Sequence, residues 1–355
     1  MTVSSAKPTI YIPFLSADLD NMLEIGAAKE ADLGPLTPLV EKVLSCPDTS
    51  EFGSKGVAQK ILYIPYLIWA FTESNFDTFV IPNTAFGILG AYAAPVLIEG
   101  FQQQATPYEI MWRYSLALVF NWLNVLIFDL ANQRSPESIK EDLVNKPWRP
   151  IPTGKVNAEQ TRRLMLGAIP IALLFNYLLG VWRQGLFILV LTWLYNDLRG
   201  GDEVTRDLII SVAYGMFNSA SLEIAIGGGE YSNLHLSHGG MIWTAMISGV
   251  ILTTMQVQDL KDQAGDRTRG RQTIALWLGD RFSRMSIAFF ICFWSVACLV
   301  FWNLSPYGLI VPATSGIITA WRVVFKTSSK EDATTWRWWC FWTITLYLLP
   351  VISLL

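Results

Sequence analysis

Charged residues are scarce in this sequence, because Asp, Glu, Lys and Arg together make up only 15% of its 355 residues. A soluble enzyme of this length would carry about a quarter. Hydrophobic residues make up 52%, and long apolar stretches recur along the chain. These stretches predict an integral membrane protein that lies in the lipid bilayer. The sequence also lacks a basic stripe, which argues against a nucleic-acid partner. Protein partners stay unknown from the sequence.

Paired cysteines and a secretion signal are missing as well. The cysteines show no CxxC or paired spacing, so we expect thiols packed among helices and no disulfide or zinc site; they are Cys46, Cys292, Cys298 and Cys340. The first 20 residues have no basic start followed by an apolar core, which predicts no signal peptide. Residues 1–56 are predicted to form a cytosolic N-terminal extension, and residues 57–355 a transmembrane domain.

Apolar runs divide the rest of the chain into regular pieces. They predict an all-α bundle of about nine transmembrane helices, preceded by an amphipathic segment at residues 57–77. The predicted helices lie near residues 78–99, 109–133, 158–180, 182–198, 205–226, 238–260, 283–303, 306–325 and 334–354.

The loops between these helices differ in charge. Loops 134–157 and 261–281 each carry five Lys or Arg residues, whereas 100–108, 227–237 and 304–307 carry none. By the positive-inside rule, the basic loops face the cytosol. We therefore predict a multi-pass protein of an intracellular membrane, expected to be the endoplasmic reticulum, with its active site opening to the cytosolic side.

The segment QDLKDQAGDRTRGRQT follows the sixth predicted helix. Asp259, Asp262 and Asp266 have the spacing i, i+3 and i+7, which predicts one helical face. Carboxylates grouped at a membrane surface repel one another unless a cation lies among them, and oxygen ligands suit Mg²⁺. The pattern predicts a magnesium and diphosphate site, with a solvated helix end as the alternative. Arginines, which bind phosphate oxygens but are also common topology signals, follow at once: Arg267, Arg269 and Arg271.

A second polar site is predicted where the 109–133 run ends. Asp129 is the expected metal ligand, with Asn132 beside it as ligand or orienter. Asn121 and Asn124 lie on the same broad face, where they either face the site or hold helices together. Further acidic and basic side chains follow in the loop: Glu141, Asp142, Lys146 and Arg149.

Two acidic helix ends, each followed by a basic loop, resemble the UbiA-type intramembrane prenyltransferase superfamily over roughly residues 75–355. The segment DLKDQAGD resembles the second aspartate motif of that family, and NKPWRPIPTG resembles its loop after the first motif. The first motif departs from the family pattern. Asn132 stands where an Asp is common, and about nine residues precede Glu141 and Asp142 as an insertion. The arrangement DLANQ…ED…NKPWRPIP is closest to a fungal branch that includes membrane-bound terpene cyclases.

The resemblance implies an enzyme that binds a polyprenyl diphosphate of C15 or C20, ionises it with Mg²⁺ and cyclises the carbocation. It implies catalytic roles for Asp129, Asp262 and Phe128, the aromatic ring expected to stabilise the cation. Tyr195, Tyr214 and Phe217 are weaker aromatic candidates. Implied metal ligands are Asp129, Asn132, Asp142, Asp259, Asp262 and Asp266, and implied diphosphate-binding residues are Lys146, Arg149, Arg267 and Arg271.

Two other functions stay open at this point. The first is a prenyltransferase of the same fold, which would pass the prenyl group to an aromatic or other small acceptor. The second is a transporter without chemistry, which would need charged residues near the bilayer midplane and internal repeats. The acids instead cluster at one surface, and no repeat is evident. Substrate chain length, product skeleton and oligomeric state do not follow from the sequence.

Overall fold

The computed structural model describes residues 50–101, 106–227, 234–304 and 306–355. Residues 1–49, which hold most of the predicted N-terminal extension, lie outside the described residues. The described residues belong to one compact, predominantly helical unit.

The first half of the unit begins with two helices before the first predicted span. Helix α2 runs without a break through a π-helical turn at Phe76–Val80 into α3, so the amphipathic segment and the first predicted span form one continuous rod. Prolines at the starts of α5 and α6 occupy positions where a backbone N–H has no helical partner. The elements are α1 Glu51–Ser54, α2 Val57–Asn75, α3 Ile81–Tyr92, α4 Ala94–Leu97, β1 Ile98–Glu99, α5 Pro107–Gln133, α6 Pro136–Asn145, α7 Ala158–Leu178 and α8 Trp182–Asn196.

The second half continues with helices separated by short 3₁₀ turns. These turns lie at Gly200–Asp202, Met255–Gln258 and Pro306–Leu309. Side-chain caps start several helices, as where Ser328 accepts from the N–H of Glu331. The elements are α9 Arg206–Ile226, β2 His235–Leu236, α10 His238–Thr254, α11 Gln263–Arg269, α12 Ile274–Trp277, α13 Asp280–Phe301, α14 Ile310–Phe325, α15 Ser329–Tyr347 and α16 Leu349–Ile352.

Each of the nine predicted ranges is mostly helical. Among the described residues, four helices are long and apolar enough to cross a membrane: α5, α9, α10 and α13. One small departure from an all-helical fold is the antiparallel pair of β1 and β2, two residues each. This pair joins the chain after α4 to the chain before α10.

Helix α9 lies at the centre of the bundle. It packs against α3, α5, α8 and α10, and most of its residues are buried. The exposed large apolar side chains lie instead on outer helices, for example Leu174 on α7, Phe187 on α8 and Phe289 on α13. This distribution is expected for a bundle surrounded by lipid, whose outer surface needs no polar groups.

Candidate active site

One cavity holds most of the predicted site residues. It encloses about 1070 Å³, including the space open to solvent. Its walls come from α2, α5, α6 and the loop after it, α8, α9, α15 and the segment from Met255 to Arg271. At one end, which we call the mouth, the wall is charged. Below the mouth it is mostly apolar, with Thr192 as a polar exception, and the apolar lining residues there include Phe79, Val125, Phe128, Ile188, Leu191, Ile209, Ile210, Ala213 and Phe217.

The second aspartate motif does not lie on one helical face, so this part of the sequence prediction is wrong. Helix α10 ends at Thr254, and tighter turns follow, in which the N–H of Asp259 bonds to Gln256 and that of Asp262 to Asp259. The α-helix resumes only at Gln263, so that Asp262 occupies the N-cap position of α11 without a side-chain capping hydrogen bond. The three carboxylates nevertheless all line the mouth of the cavity. The tighter turns bring them there without a shared helical face.

Asp259 is held by an arginine from another helix. Arg206, at the start of α9, donates to Asp259 Oδ2 at 2.5 Å and to the hydroxyl of Tyr195 at 3.0 Å. All three residues are buried and line the cavity. Because a buried carboxylate needs a compensating charge, the guanidinium of Arg206 is the compensating group for Asp259.

Asp262 lies between two lysines. Lys261 contacts its carboxylate directly, and Lys146 Nζ lies 3.7 Å from Oδ2. Burial alone would raise the pKa of Asp262, but the two lysines outweigh it and lower the pKa to about 2. The Asn145 side chain also donates to the Asp262 carbonyl at 2.9 Å and accepts from Gly265 N–H at 3.0 Å. Asp262 is therefore ionised and fixed in place.

Asp266 is the least compensated acid of the motif. Burial and the negative charges of Asp259 and Glu141 raise its pKa, and Arg271, 3.8 Å away, offsets this only in part. Its Oδ2 is buried and has no hydrogen-bond partner within the described ranges. An added cation near Asp266 would therefore find a carboxylate oxygen with no competing donor.

The first motif supplies a second such oxygen. Asn75, at the end of α2, donates to Asp129 Oδ1 at 2.6 Å, while Asp129 Oδ2 is buried with no partner among the residues that the structure describes. Asn132, one turn nearer the mouth, donates to Asn196 Oδ1 at 3.0 Å. Phe128 lines the cavity, and its ring centroid lies 5.2 Å from that of Tyr195.

Two predicted site residues do not line this cavity. Asp142 is buried behind Arg149, which donates to its two oxygens at 2.8 and 3.0 Å. Arg267 is exposed on α11, outside the lining residues. The remaining predicted ligands and phosphate-binding residues line it: Asp129, Asn132, Lys146, Arg149, Asp259, Asp262, Asp266 and Arg271.

Three lining residues were missed by the sequence reasoning as site residues. Arg206 is not among the residues predicted from the sequence, although a charged residue at the start of a span can indicate a buried partner. Glu141, noted only as a loop residue, forms an ion pair with Arg271 at 3.0 Å. Asn75 lies in the amphipathic segment, and no pattern in that segment pointed to its contact with Asp129.

Several polar residues turn out to join helices. Asn121 donates to Thr84 and to Ser221, both at 2.9 Å, and Asn124 donates to Asn176 at 3.1 Å. Of the weaker aromatic candidates, Tyr195 and Phe217 line the cavity, whereas Tyr214 lies behind Phe79.

The mouth has donors suited to a magnesium ion but no preformed metal site. Within the described ranges, no three His, Cys, Asp or Glu side chains are grouped so that they could hold a metal ion. Asp129 and Asp266, however, each keep a buried oxygen without a partner. Mg²⁺ is usually held by one or two carboxylates together with phosphate oxygens of the substrate. The donor set therefore fits Mg²⁺ that binds together with a diphosphate.

Comparison with known proteins gives consistent matches. A model of the UbiA prenyltransferase family matches residues 110–344. Fumagillin beta-trans-bergamotene synthase of Aspergillus fumigatus is 24% identical over 294 residues, which cover 80% of this chain and 91% of the relative. A diterpene cyclase of Hericium erinaceus is 24% identical over 78% of this chain and 84% of its own length. A polyprenyl transferase of the same fungus is 27% identical over 81% and 94%.

Solved structures share the fold at low sequence identity. A UbiA homolog from Archaeoglobus fulgidus, bound to GPP and Mg²⁺, matches with a TM-score of 0.55 and 12% identity over 81% of this chain and 99% of that chain. A digeranylgeranylglyceryl phosphate synthase matches with a TM-score of 0.54 and 13% identity over 81% and 98%. At these identities the matches concern the fold alone.

Proposed function

This chain belongs to the UbiA prenyltransferase family, and we propose that it is a membrane-bound terpene cyclase. Its substrate would be a polyprenyl diphosphate, which it ionises and cyclises with release of diphosphate. The observation that carries this proposal is the single cavity that joins a charged mouth to an apolar interior. A prenyl diphosphate has the same two parts, an anionic head and a hydrocarbon tail.

The mouth would bind the diphosphate through Lys146, Arg149 and Arg271, which all line it. Arg149 Nε and Arg271 Nε are buried with no hydrogen-bond partner in the described part of the chain, so both can donate to phosphate oxygens. Mg²⁺, held by the carboxylates of Asp129 and Asp266, would neutralise charge on the leaving diphosphate. Fixed positive groups of this kind lower the barrier to ionisation because they need no reorganisation.

The apolar interior would protect the carbocation. Below the mouth, the lining residues of α9 are Ile209, Ile210, Ala213 and Phe217, none of which offers a nucleophile. Excluding water prevents quenching of a reactive cation. The rings of Phe128 and Tyr195 lie just inside the mouth, where the quadrupole of an aromatic face can stabilise positive charge.

The alternative is a prenyltransferase that uses an acceptor. The relatives similar to this chain include both a diterpene cyclase and a polyprenyl transferase. The apolar wall favours cyclisation, since a polar acceptor would find few hydrogen-bond partners on α5 and α9 below Asp129.

For the membrane arrangement, we propose about nine spans, the cavity mouth facing the cytosol, and the endoplasmic reticulum as the location. The basic loops support this orientation.

The test uses membranes that carry the chain, incubated with farnesyl or geranylgeranyl diphosphate and Mg²⁺ without an acceptor. We expect a cyclic terpene by gas chromatography–mass spectrometry and its loss in Asp262→Asn. Asp77→Asn, an exposed aspartate away from the cavity, is the matched control and should retain activity. Product only after an acceptor is added would replace the cyclase with a transferase. Cyclic product that persists in Asp262→Asn would contradict the role of the second motif.

A further inference from the structure

The cavity ends at one level on three helices. On α9 its lining residues begin with Arg206 at the mouth and end with Phe217 among the described residues. The α5 wall ends at Val125 and the α8 wall at Ile188. Val125, Ile188 and Phe217 belong to one buried apolar cluster, so the three walls meet there.

Aromatic rings close the cavity at this level. The Phe217 ring lies edge-on to Phe79, with 4.9 Å between ring centroids, and both residues line the cavity. We call these two residues the cavity floor. Phe120 supports Phe217 from outside the cavity, with its ring centroid 6.1 Å away. Ala220, the next residue on the same side of α9, is fully buried in the same cluster.

Hydrogen bonds hold the helices together below the floor. Asn121 on α5 donates to Thr84 on α3 and to Ser221 on α9, and all three side chains are buried. Because separating them would leave buried polar groups without partners, α3, α5 and α9 cannot part easily to deepen the cavity. The floor is therefore fixed by the packing of three helices.

The helix rise gives the depth of the cavity. With 1.5 Å per residue, the distance along α9 from Arg206 to Phe217 is about 16 Å. The diphosphate occupies the first turn of this length, which leaves about 11 Å for hydrocarbon. Each C–C bond of ~1.5 Å advances an extended chain by roughly 1.25 Å, so farnesyl spans about 14 Å and geranylgeranyl about 19 Å.

We propose that the Phe217 floor restricts the enzyme to a C15 prenyl diphosphate and turns the end of that chain back toward the mouth. This inference rests on the proposed function and names its substrate. A farnesyl chain slightly exceeds the depth, so it bends at the floor, which brings its distal double bond toward the cationic carbon. A geranylgeranyl chain exceeds the depth by more than one isoprene unit.

Two substitutions move the floor in opposite directions. Phe217→Ala removes the ring and deepens the cavity toward Phe120. Ala213→Phe, one turn nearer the mouth and also lining the cavity, makes it shallower. Phe86→Ala is the matched control, because Phe86 is equally buried but packs on Tyr347 and does not line the cavity. It reproduces the loss of a core ring without a change in cavity depth.

The measurement is the affinity of the purified protein for unreactive thiodiphosphate analogues of C10, C15 and C20 prenyl chains, with Mg²⁺. Wild type and Phe86→Ala should prefer C15. Phe217→Ala should shift the C20 to C15 affinity ratio by about tenfold or more toward C20, and Ala213→Phe by a similar factor from C15 toward C10. If Phe217→Ala does not fold, the shift from C15 toward C10 in Ala213→Phe is the deciding result.

An unchanged length preference in the folded variants would overturn the floor assignment, and so would a wild-type preference for C20. Binding separates this result from the test of the proposed function, because the analogues neither ionise nor need an acceptor. A C15 preference that moves with the floor, in a protein that forms no cyclic product, would support the floor and contradict the cyclase.

Discussion

At the scale of single residues, charge compensation governs the mouth of the cavity. Asp259 pairs with Arg206, Asp262 with Lys261 and Lys146, and the carboxylates behind them pair with further arginines. The pairs of Asp259, Asp142 and Glu141 are buried and those of Asp262 are partly buried, so the loss of one partner leaves an uncompensated charge in or near the protein interior. Residues that never contact substrate can therefore be needed for the shape of the site.

Arg206 offers the clearest test at this scale. Replacing it by Met leaves Asp259 buried without its partner, and breaking a buried pair typically costs about 3–5 kcal/mol. We expect a lower unfolding temperature, followed by tryptophan fluorescence in detergent, and turnover reduced roughly hundredfold. Tyr195→Phe is the matched control because it removes only the hydroxyl that accepts from Arg206, a loss of about 1 kcal/mol. Wild-type stability in Arg206→Met would refute the assignment.

Residue-scale prediction from the sequence was good where spacing carried the information. The acids of both motifs were identified from their positions beside apolar runs, and Asp129, Asp259, Asp262 and Asp266 do line one cavity. The residues that pair with these acids, such as Arg206, were not identified, because a contact between residues 53 positions apart leaves no local pattern in the sequence. Asp142 and Arg267 were predicted from the motifs but do not line the cavity. A motif match does not determine whether a side chain faces the cavity.

At the scale of elements, the docking of α6 on α11 positions the second motif. Asn145, the last residue of α6, makes two hydrogen bonds to the Asp262–Gly265 turn. A Cβ at Gly265 would lie 2.3 Å from Asn145 Nδ2, so the close approach of these two helices requires glycine there. The two acidic motifs are thereby linked through backbone and amide groups.

Gly265→Ala should displace the Asn145 side chain and break its two hydrogen bonds to the Asp262–Gly265 turn. Overpacking of this kind typically costs about 1–3 kcal/mol, so we expect lower thermal stability and a marked loss of diphosphate release. Gly167→Ala on α7 is the matched control, because a Cβ there meets nothing within 4 Å. It should leave both properties unchanged or raise stability slightly. Full activity in Gly265→Ala would show that this contact does not position Asp262.

The break after α10 illustrates what an element-scale prediction lacks. The i, i+3, i+7 spacing of the second motif is compatible with an α-helix, and the structure instead has 3₁₀ and tight turns from Met255 to Asp262. The burial of charged side chains and their pairs with distant cations outweigh local helical preference here. Positions of the nine helical ranges, by contrast, followed from apolar runs, because burial in lipid requires long uninterrupted hydrophobic segments.

At the scale of the whole molecule, the resemblance to the UbiA family is confirmed by the family match over residues 110–344. Magnesium dependence stays a prediction. The ion pairs at the mouth determine whether removing the metal should affect stability as well as turnover. Since most carboxylates at the mouth already have a basic partner, the fold does not need a metal for charge balance. Removal of Mg²⁺ should therefore affect chemistry and not stability.

Chelation with EDTA should abolish turnover while the unfolding temperature changes by less than about 2 °C. Adding Mg²⁺ and inorganic diphosphate together should raise that temperature, because a ligand that binds only the folded state stabilises it. Readdition of Mg²⁺ to the chelated sample is the control and should restore turnover. Unfolding upon chelation would mean that the metal is a structural component, contrary to this prediction.

The ion pairs at the mouth also have a consequence for the order in which ligands enter. Arg271 and Arg149 now face carboxylates, and each would exchange that contact for a phosphate oxygen as diphosphate enters. An anion arriving alone would leave carboxylates without a counter-ion, and a cation arriving alone at Asp129 and Asp266 would add positive charge with no anion to balance it. We therefore expect the site to accept anion and cation as a jointly bound, nearly neutral pair, by an exchange of partners that keeps the buried charge constant throughout.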